Sequence, residues 1–205
     1  MKINKQHVEW VSETNNILHT IEDAGRVCYK SVSTGNHEEF IRRLIDAGHL
    51  SVLEHGNITM RIVTDRGISH EWVRHRLCAY SQESTRYCNY SKGKFGNEIT
   101  VVPPSGIDKT TKAYDIWFGC MQNIEKVYMG LLDVGYKPEI ARSVLPTCLK
   151  TEFFVTANIR QWRYMIGIRA NKKAHPMIRE LMHLAHKEIE KRYPVLVYNL
   201  SIDEK

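Results

Sequence analysis

Arg74-His75-Arg76 is followed, after the seven residues LCAYSQE, by Ser84 and then by Thr85, Arg86 and Tyr87. Guanidinium groups offer five N–H donors in a planar fork that matches phosphate and carboxylate oxygens. One reading is a solvated basic turn. If EWVRHR is helical, Glu71 lies four residues before His75 and three before Arg74, and such pairs stabilise an exposed helix. The other reading is an anion site. Ser81, Gln82, Ser84 and Thr85 supply neutral donors and acceptors in a turn-prone segment, which suits a ligand better than bulk water. Ser84 as a nucleophile would need a base within hydrogen-bond reach. His75 is near in sequence, but the G-x-S-x-G elbow is absent.

A second group of arginines lies downstream: Arg142 in ARSVLP, Arg160 and Arg163 in NIRQWRY, and Arg169 in GIRAN. On a helix starting near Asn158, Arg160 and Arg163 are three apart and share a face. The alternative for that pair is a basic helix whose stems cover apolar neighbours. Neither G-x-G-x-x-G nor G-x-x-x-x-G-K-[ST] occurs, so any nucleotide is held without a glycine-rich cradle. His55, at the entrance to a strand, reads either as structural or as a ligand contact. Glu180, His183 and His186 sketch a metal site, but H-x-x-H lacks the i,i+4 spacing of H-E-x-x-H, and an amphipathic helix accounts for them. No metal is expected. The five cysteines are an odd count at irregular spacing without Cys-x-x-Cys, which argues against a disulfide framework.

The formal charge of +6 points to an anionic partner, whether nucleic acid, a nucleotide cofactor or a phosphorylated metabolite. No apolar run reaches the roughly 18 residues that span a bilayer. MKINKQHVEW lacks the apolar stretch of a signal peptide, so a cytoplasmic protein with no membrane partner is expected.

The elements that must position these residues follow from periodicity. Helices are predicted from about Asn15 to Tyr29 and from Asn36, with Asn36 as N-cap, Glu39 three residues on and Gly48 as the stop. NITMRIV alternates as a half-buried strand, and a short helical pattern, ISHEWVRHRLCAY, follows. A strand at ITVV ends at Pro103 and Pro104. The longest helix is predicted from Asp108 to Val134, with Ile116, Trp117, Cys120, Ile124, Val127, Leu131 and Leu132 near period 3.6 and Gly135 after it. PEIARSVL is a brief helix, KTEFFVTAN a strand, NIRQWRYMIGIR a helix, and PMIRELMHLAHKEIEKRY a final amphipathic helix. Without repeats or a linker, residues 1–205 read as one α/β (α+β-like) domain, a mixed sheet flanked by helices.

Taken together, the motifs resemble the flavin-dependent thymidylate synthases. That family's hallmark, Arg-His-Arg, seven arbitrary residues and Ser, stands at Arg74-His75-Arg76 and Ser84. LEHGNITMRI precedes it, and ARSVLP, TANIRQW and GIRAN follow in order. The resemblance implies a mixed α/β core in a homotetramer with active sites between subunits. It implies reductive methylation of dUMP to dTMP, with methylenetetrahydrofolate as carbon donor and NADPH as reductant through FAD, releasing tetrahydrofolate.

For FAD it points to His55, Asn57, Arg74, His75, Arg76, Gln82, Asn158, Ile159, Arg160 and Tyr164. For dUMP it points to the segment Glu71, Trp72, Val73 and Arg74, to Gln82, Glu83, Ser84, Thr85 and Arg86, and to Arg142 and Arg169. Arg169 is the expected catalytic group, placed against the uracil, with Ser84 positioning substrate and no cysteine nucleophile. Two departures stand out: Glu71 where some relatives carry Gln, and Lys173, with His175 two residues on, at the place of a family histidine. The competing reading is a basic nucleic-acid-binding domain, in which the same arginines neutralise phosphates and the tyrosines stack on bases. No ribonucleoprotein motif or C₂H₂ finger supports it.

Overall fold

The computed structural model describes residues 1–33 and 35–203. In chain order its elements are β1 (Lys2–Ile3), β2 (His7–Glu13), α1 (Ile17–Val27), α2 (His37–Asp46), β3 (Asn57–Asp65), α3 (Arg66–Trp72) and β4 (Cys78–Gln82). Then come β5 (Thr100–Val101), α4 (Lys112–Asp133), α5 (Pro138–Ala141), β6 (Lys150–Asn158), α6 (Ile159–Arg169) and α7 (Pro176–Arg192). Short 3₁₀ turns occupy Leu50–His55, Gly93–Phe95, Arg142–Val144 and Pro194–Val197. The class is the mixed α/β expected. A four-stranded sheet has the order β2-β3-β6-β4, and β1 pairs in parallel with β5, Lys2 opposite Thr100 and Ile3 opposite Val101.

The chain divides into two compact units, each built from three segments: Met1–His7, Val63–Trp72 and Ser81–Phe153 in one, Val8–Ile62, Val73–Tyr80 and Phe154–Lys205 in the other. In the first unit, Tyr90, Ile99, Val101, Met121, Tyr128, Ala141 and Leu149 form a buried cluster. Only Met121 and Tyr128 of α4 are buried, whereas Ile116 and Val127 of the predicted stripe are exposed. α4 thus keeps the expected period, but its buried face centres on Met121 and Tyr128, outside the predicted stripe, with Trp117, Ile124, Leu131 and Leu132 partly buried beside them and Cys120 exposed.

In the second unit, α1 and α2 meet closely at Gly25, where an added Cβ would lie 2.8 Å from Leu44 Cδ1. The start of α2 follows its sequence: Asn36 Oδ1 accepts from Glu39 N at 3.2 Å, and Asn36 Nδ2 donates to Glu39 Oε2 at 2.9 Å. Gly48, at φ 74°, follows its end. β3 buries Ile58, Met60 and Ile62, and the upper face of α6 buries Ile159, Trp162, Met165 and Ile166, with the Trp162 indole N–H on Ile58 O at 3.1 Å. α7 packs on α6 and buries Ile178, Leu181, Met182, Ala185 and Ile189. Among the described residues no helix is long and apolar enough to cross a membrane.

Two local expectations differ. α3 ends at Trp72, so Arg74-His75-Arg76 is not helical, and Cys78–Tyr80, read as the tail of that helix, belongs to strand β4. Trp72 is fully buried with its ring edge-on to Phe153 at 5.7 Å, which anchors the helix end. The N-terminal strand β2 carries an alternation too polar to stand out.

Candidate active site

Arg74 ends a turn after α3, and His75 and Arg76 follow without regular structure before β4; both arginines are exposed and His75 is buried. The Tyr80 hydroxyl donates to the His75 carbonyl at 2.8 Å and closes this turn on β4. Opposite lies α6. Asn158 caps it, its Oδ1 accepting from Gln161 N at 2.8 Å, while Ile159 N donates to Gly56 O at 2.9 Å. Arg160, Tyr164 and Ile168 fall at i, i+4 and i+8 and form one stripe. Within the second unit these elements line a cleft of about 1030 Å³, with Glu54, Leu77, Gln161 and Arg169 completing the wall.

The cleft carries four arginines (74, 76, 160 and 169) against one carboxylate, Glu54, a formal balance of +3. Arg160 Nη1 donates to Glu54 Oε1 at 2.6 Å, with both side chains about half exposed. Such a pair contributes little to stability in water but fixes the guanidinium's direction. Arg169 Nε donates to His75 Nε2 at 3.2 Å. That bond requires Nε2 to be the bare nitrogen, so the ring proton sits on Nδ1. The Tyr164 ring stands edge-on to His75 at 6.3 Å. Leu77, Tyr164 and Ile168 share the lining with these cations and expose 75%, 57% and 42% of their surfaces, so apolar surface and anion donors occur in one cleft.

Burial, and then the charge of Arg169, push the His75 imidazole below its ordinary value of 6.5. Between 6.5 and the lowered value the unfolded chain binds a proton that the folded chain refuses, so stability falls as pH drops through this window. The His75 Cε1–H resonance is therefore expected to titrate below pH 6.5, and to move back toward it in Arg169→Ala. A midpoint at or above 6.5 in the unsubstituted protein would contradict this account.

A second grouping lies in the first unit. Gln82 Nε2 donates to Ser69 Oγ at 2.9 Å and Thr151 Oγ1 at 3.0 Å. Glu83 binds Lys150 Nζ at 3.0 Å and accepts from the Tyr90 hydroxyl at 2.7 Å. Lys150 also meets Glu152 at 2.9 Å. Ser84 Oγ accepts from Arg86 N at 3.3 Å, opening a turn, and Arg142 Nη1 reaches Thr85 Oγ1 at 3.5 Å. Arg86 pairs with Glu139 at 3.1 Å. Ser84 has no histidine among its hydrogen-bond partners among the described residues, so the triad reading gains nothing.

Of the residues expected at a cofactor, Arg74, His75, Arg76, Asn158, Arg160 and Tyr164 meet in the cleft, and Arg169 joins them. His55 and Asn57 are exposed and do not line it, Ile159 is buried in the core, and Gln82 belongs to the second grouping. Glu71, Trp72 and Val73 do not line the cleft, Trp72 being fully buried. Arg163 departs from Arg160: it is buried and donates to Leu196 O and Tyr198 O at 2.9 Å and to Asn199 Oδ1 at 2.8 Å, tying down the C-terminal turn. His175 caps α7, its Nδ1 facing Met177 N at 3.3 Å. Glu54 and Gln161 were missed. Both lie within the quoted segments LEHGN and NIRQW, and only the Arg160 pairing and the helix cap single them out.

In fold the chain is of the type seen in the crystal structure of a UMP/dUMP methylase, PolB from Streptomyces cacaoi, bound with 5-Br dUMP: the TM-score is 0.81 at 20% identity, over 96% of this chain and 95% of that one. The sequence narrows the class to a family. The profile of the family described as thymidylate synthase complementing protein matches residues 9–195. The flavin-dependent thymidylate synthase of Mycolicibacterium gilvum is 33% identical over 195 residues, 85% of this chain and 76% of that protein. Those of Corynebacterium glutamicum and Geobacter sulfurreducens are 30% and 34% identical, covering 96% and 77% of this chain and 84% and 71% of theirs. The chain belongs to this family.

Proposed function

We propose that the protein is an FAD-dependent thymidylate synthase, which methylates dUMP to dTMP with methylenetetrahydrofolate as carbon donor and NADPH as reductant. The observation that carries the reading is the arginine cleft with its exposed apolar lining. FAD joins a pyrophosphate to flat, largely apolar rings, and the residues present fit both parts. Arg74, Arg76 and Arg160 are the forked donors for the pyrophosphate, the first turn of α6 adds its partial positive charge, and Leu77, Tyr164 and Ile168 offer surface to a ring. Bound flavin supplies hydride chemistry that no side chain can.

Arg169 is the proposed catalytic group. Its Nε–H is committed to His75 Nε2, which fixes the guanidinium plane. Set against a uracil, that cation favours the N3-ionised, polarised form of the ring. Neutral His75 orients it without adding a competing charge. The segment from Gln82 to Arg86, with Arg142, is the proposed cradle for the dUMP phosphate, Ser84 positioning substrate. A thiolate nucleophile is not required: no cysteine lines the cleft, burial pushes the Cys78 and Cys88 thiols up, and it drives Cys148 to about 11.

The domain and assembly belong to the same proposal. The family profile runs through both compact units, which supports one functional domain. The exposed Ile116 and Val127 of α4, and Val134, Tyr136 and Ile140 after it, support self-association as a homotetramer. The absence of a spanning helix among the described residues agrees with a cytoplasmic enzyme.

The full chain, reconstituted with FAD and reduced by NADPH without oxygen, is expected to show a flavin band that bleaches faster when dUMP is present. Adding methylenetetrahydrofolate is then expected to yield dTMP with tetrahydrofolate. A protein that takes up no flavin, and whose retention on RNA falls steeply with salt, would replace this reading with nucleic-acid binding.

A further inference from the structure

We propose that His19, Glu22 and His37 form a binding site for one divalent transition-metal ion, Zn²⁺ foremost, where α1 meets the start of α2. None of the three lines the arginine cleft. His19 and Glu22 stand three apart on α1, hence on one face, and His37 is the first residue of α2. Their donor atoms all lie within 4.8 Å of one another. The rings of His19 and His37 have centroids 5.4 Å apart, inclined at 48°. Two imidazoles on one tetrahedral zinc, at about 2.0–2.1 Å from the metal, place their centroids about 5 Å apart, so the rings already stand at the required separation. Donors around such an ion sit about 3.4 Å apart, so Glu22 Oε2 and His37 Nδ1, in direct hydrogen-bond contact without the ion, part to admit it while the half-exposed His19 rotates inward.

Glu22 and His19 each have a partner that sets their orientation, as metal ligands require. Glu22 has no accessible surface; its Oε1 accepts from Arg26 Nε at 2.5 Å and from Ser33 Oγ at 2.9 Å, which leaves Oε2 facing His37 Nδ1. Asp23 Oδ1 lies 3.5 Å from His19 Nδ1, directing Nε2 as the metal donor. The Arg26 guanidinium is held over the Phe40 ring at 4.2 Å. Both histidines open on a cleft of about 690 Å³ rimmed by Asn15, Asn16 and Tyr193. Two histidines, one glutamate and an accessible fourth position are the donor set of a zinc ion that keeps an exchangeable water. The Arg26 charge and the positive first turns of both helices oppose a cation. Binding is therefore expected to be weaker than at a site built from ligands alone.

The test is titration of chelator-treated, full-length protein with Co²⁺, which reports coordination by its visible bands. One equivalent per chain is expected to give tetrahedral d–d absorption without a near-ultraviolet thiolate band, and one equivalent of Zn²⁺ is expected to abolish it. His19→Ala leaves the buried Glu22 and its partners in place, so loss of folding does not confuse the result. It is expected to weaken binding by more than the roughly 10–100-fold that loss of an orienting partner costs. Cys28→Ser is expected to change nothing. Absence of the d–d band, affinity unaltered by His19→Ala, or a thiolate band would each overturn the assignment.

Discussion

An Arg169→Ala enzyme is expected to take up flavin with an unaltered visible spectrum yet turn over dUMP roughly 10²–10³-fold more slowly, a loss of about 3–4 kcal/mol. Three arginines, Arg74, Arg76 and Arg160, remain in the cleft to hold a diphosphate, so cofactor uptake is not the step that suffers. On the proposed role of Arg169, the cost is expected where negative charge develops on the uracil. A fixed cation lowers the barrier because its orientation is set before reaction, here by the 3.2 Å bond to His75. The loss is therefore expected in kcat more than in the dUMP KM.

Arg169→Lys separates charge from geometry. Lysine keeps a positive charge but has one rotatable ammonium in place of the planar fork, and it cannot reproduce the Nε–H bond while reaching the same point. Intermediate activity is expected, with His75 still titrating below 6.5 because a cation remains beside it. Removal of the charge in Arg169→Ala leaves burial alone to hold the imidazole down. If Arg169→Ala retained full kcat and only raised KM, Arg169 would be a binding group and the polarisation of uracil would need another source.

The parts of this fold that sequence makes plain are those fixed by local signals. Asn36, Glu39 and Gly48 bracket α2, and the alternation of Thr151, Phe153, Val155 and Ala157 marks β6, because caps and side-chain periods act within a few residues. The Arg74–Arg76 stretch looks helical in sequence for the same reason, and the structure shows that it is not. Its i,i+4 charges fit a helical face, and nothing local reveals that Trp72 ends the helix by docking against Phe153. Arg160 and Arg163 look alike in sequence. What divides them is tertiary: the carbonyls that claim Arg163 lie 33 and 35 residues away, and the carboxylate that claims Arg160 lies 106 residues away. The family resemblance supplied the site residues, yet it favoured His55 and Asn57 over Glu54, whose side chain faces the cleft.

Lys150→Met is expected to be the most disruptive substitution in the Gln82–Arg86 grouping. Lys150 is 20% exposed and serves two carboxylates at once, Glu83 at 3.0 Å and Glu152 at 2.9 Å. Burial disfavours its charge, but both carboxylates more than offset this and raise its pKa above the ordinary 10.5. Its stabilising contribution is thus complete below pH 10.5 and is lost only as pH rises through the higher folded value. Methionine matches the stem but leaves the carboxylates without their shared cation. Removing one partner of a fully buried pair costs about 3–5 kcal/mol, and partial exposure of Lys150 and Glu152 reduces the expected loss here to about 2–3 kcal/mol. Urea unfolding at neutral pH measures it.

The functional effect follows from what Glu83 anchors. Its backbone N–H donates to Glu152 O at 2.9 Å and its carboxylate holds the Tyr90 hydroxyl, so the start of the Ser84 turn is fixed from both sides. With Lys150 gone, repulsion between Glu83 and Glu152 loosens that turn, and the dUMP KM is expected to rise while kcat at saturation changes little. The double substitution Lys150→Met with Glu83→Gln removes the repulsion and keeps a hydrogen-bonding group for Tyr90. It is expected to recover part of both stability and KM. A double variant no better than Lys150→Met alone would mean that the lysine acts through packing, and the charge argument for this turn would fail.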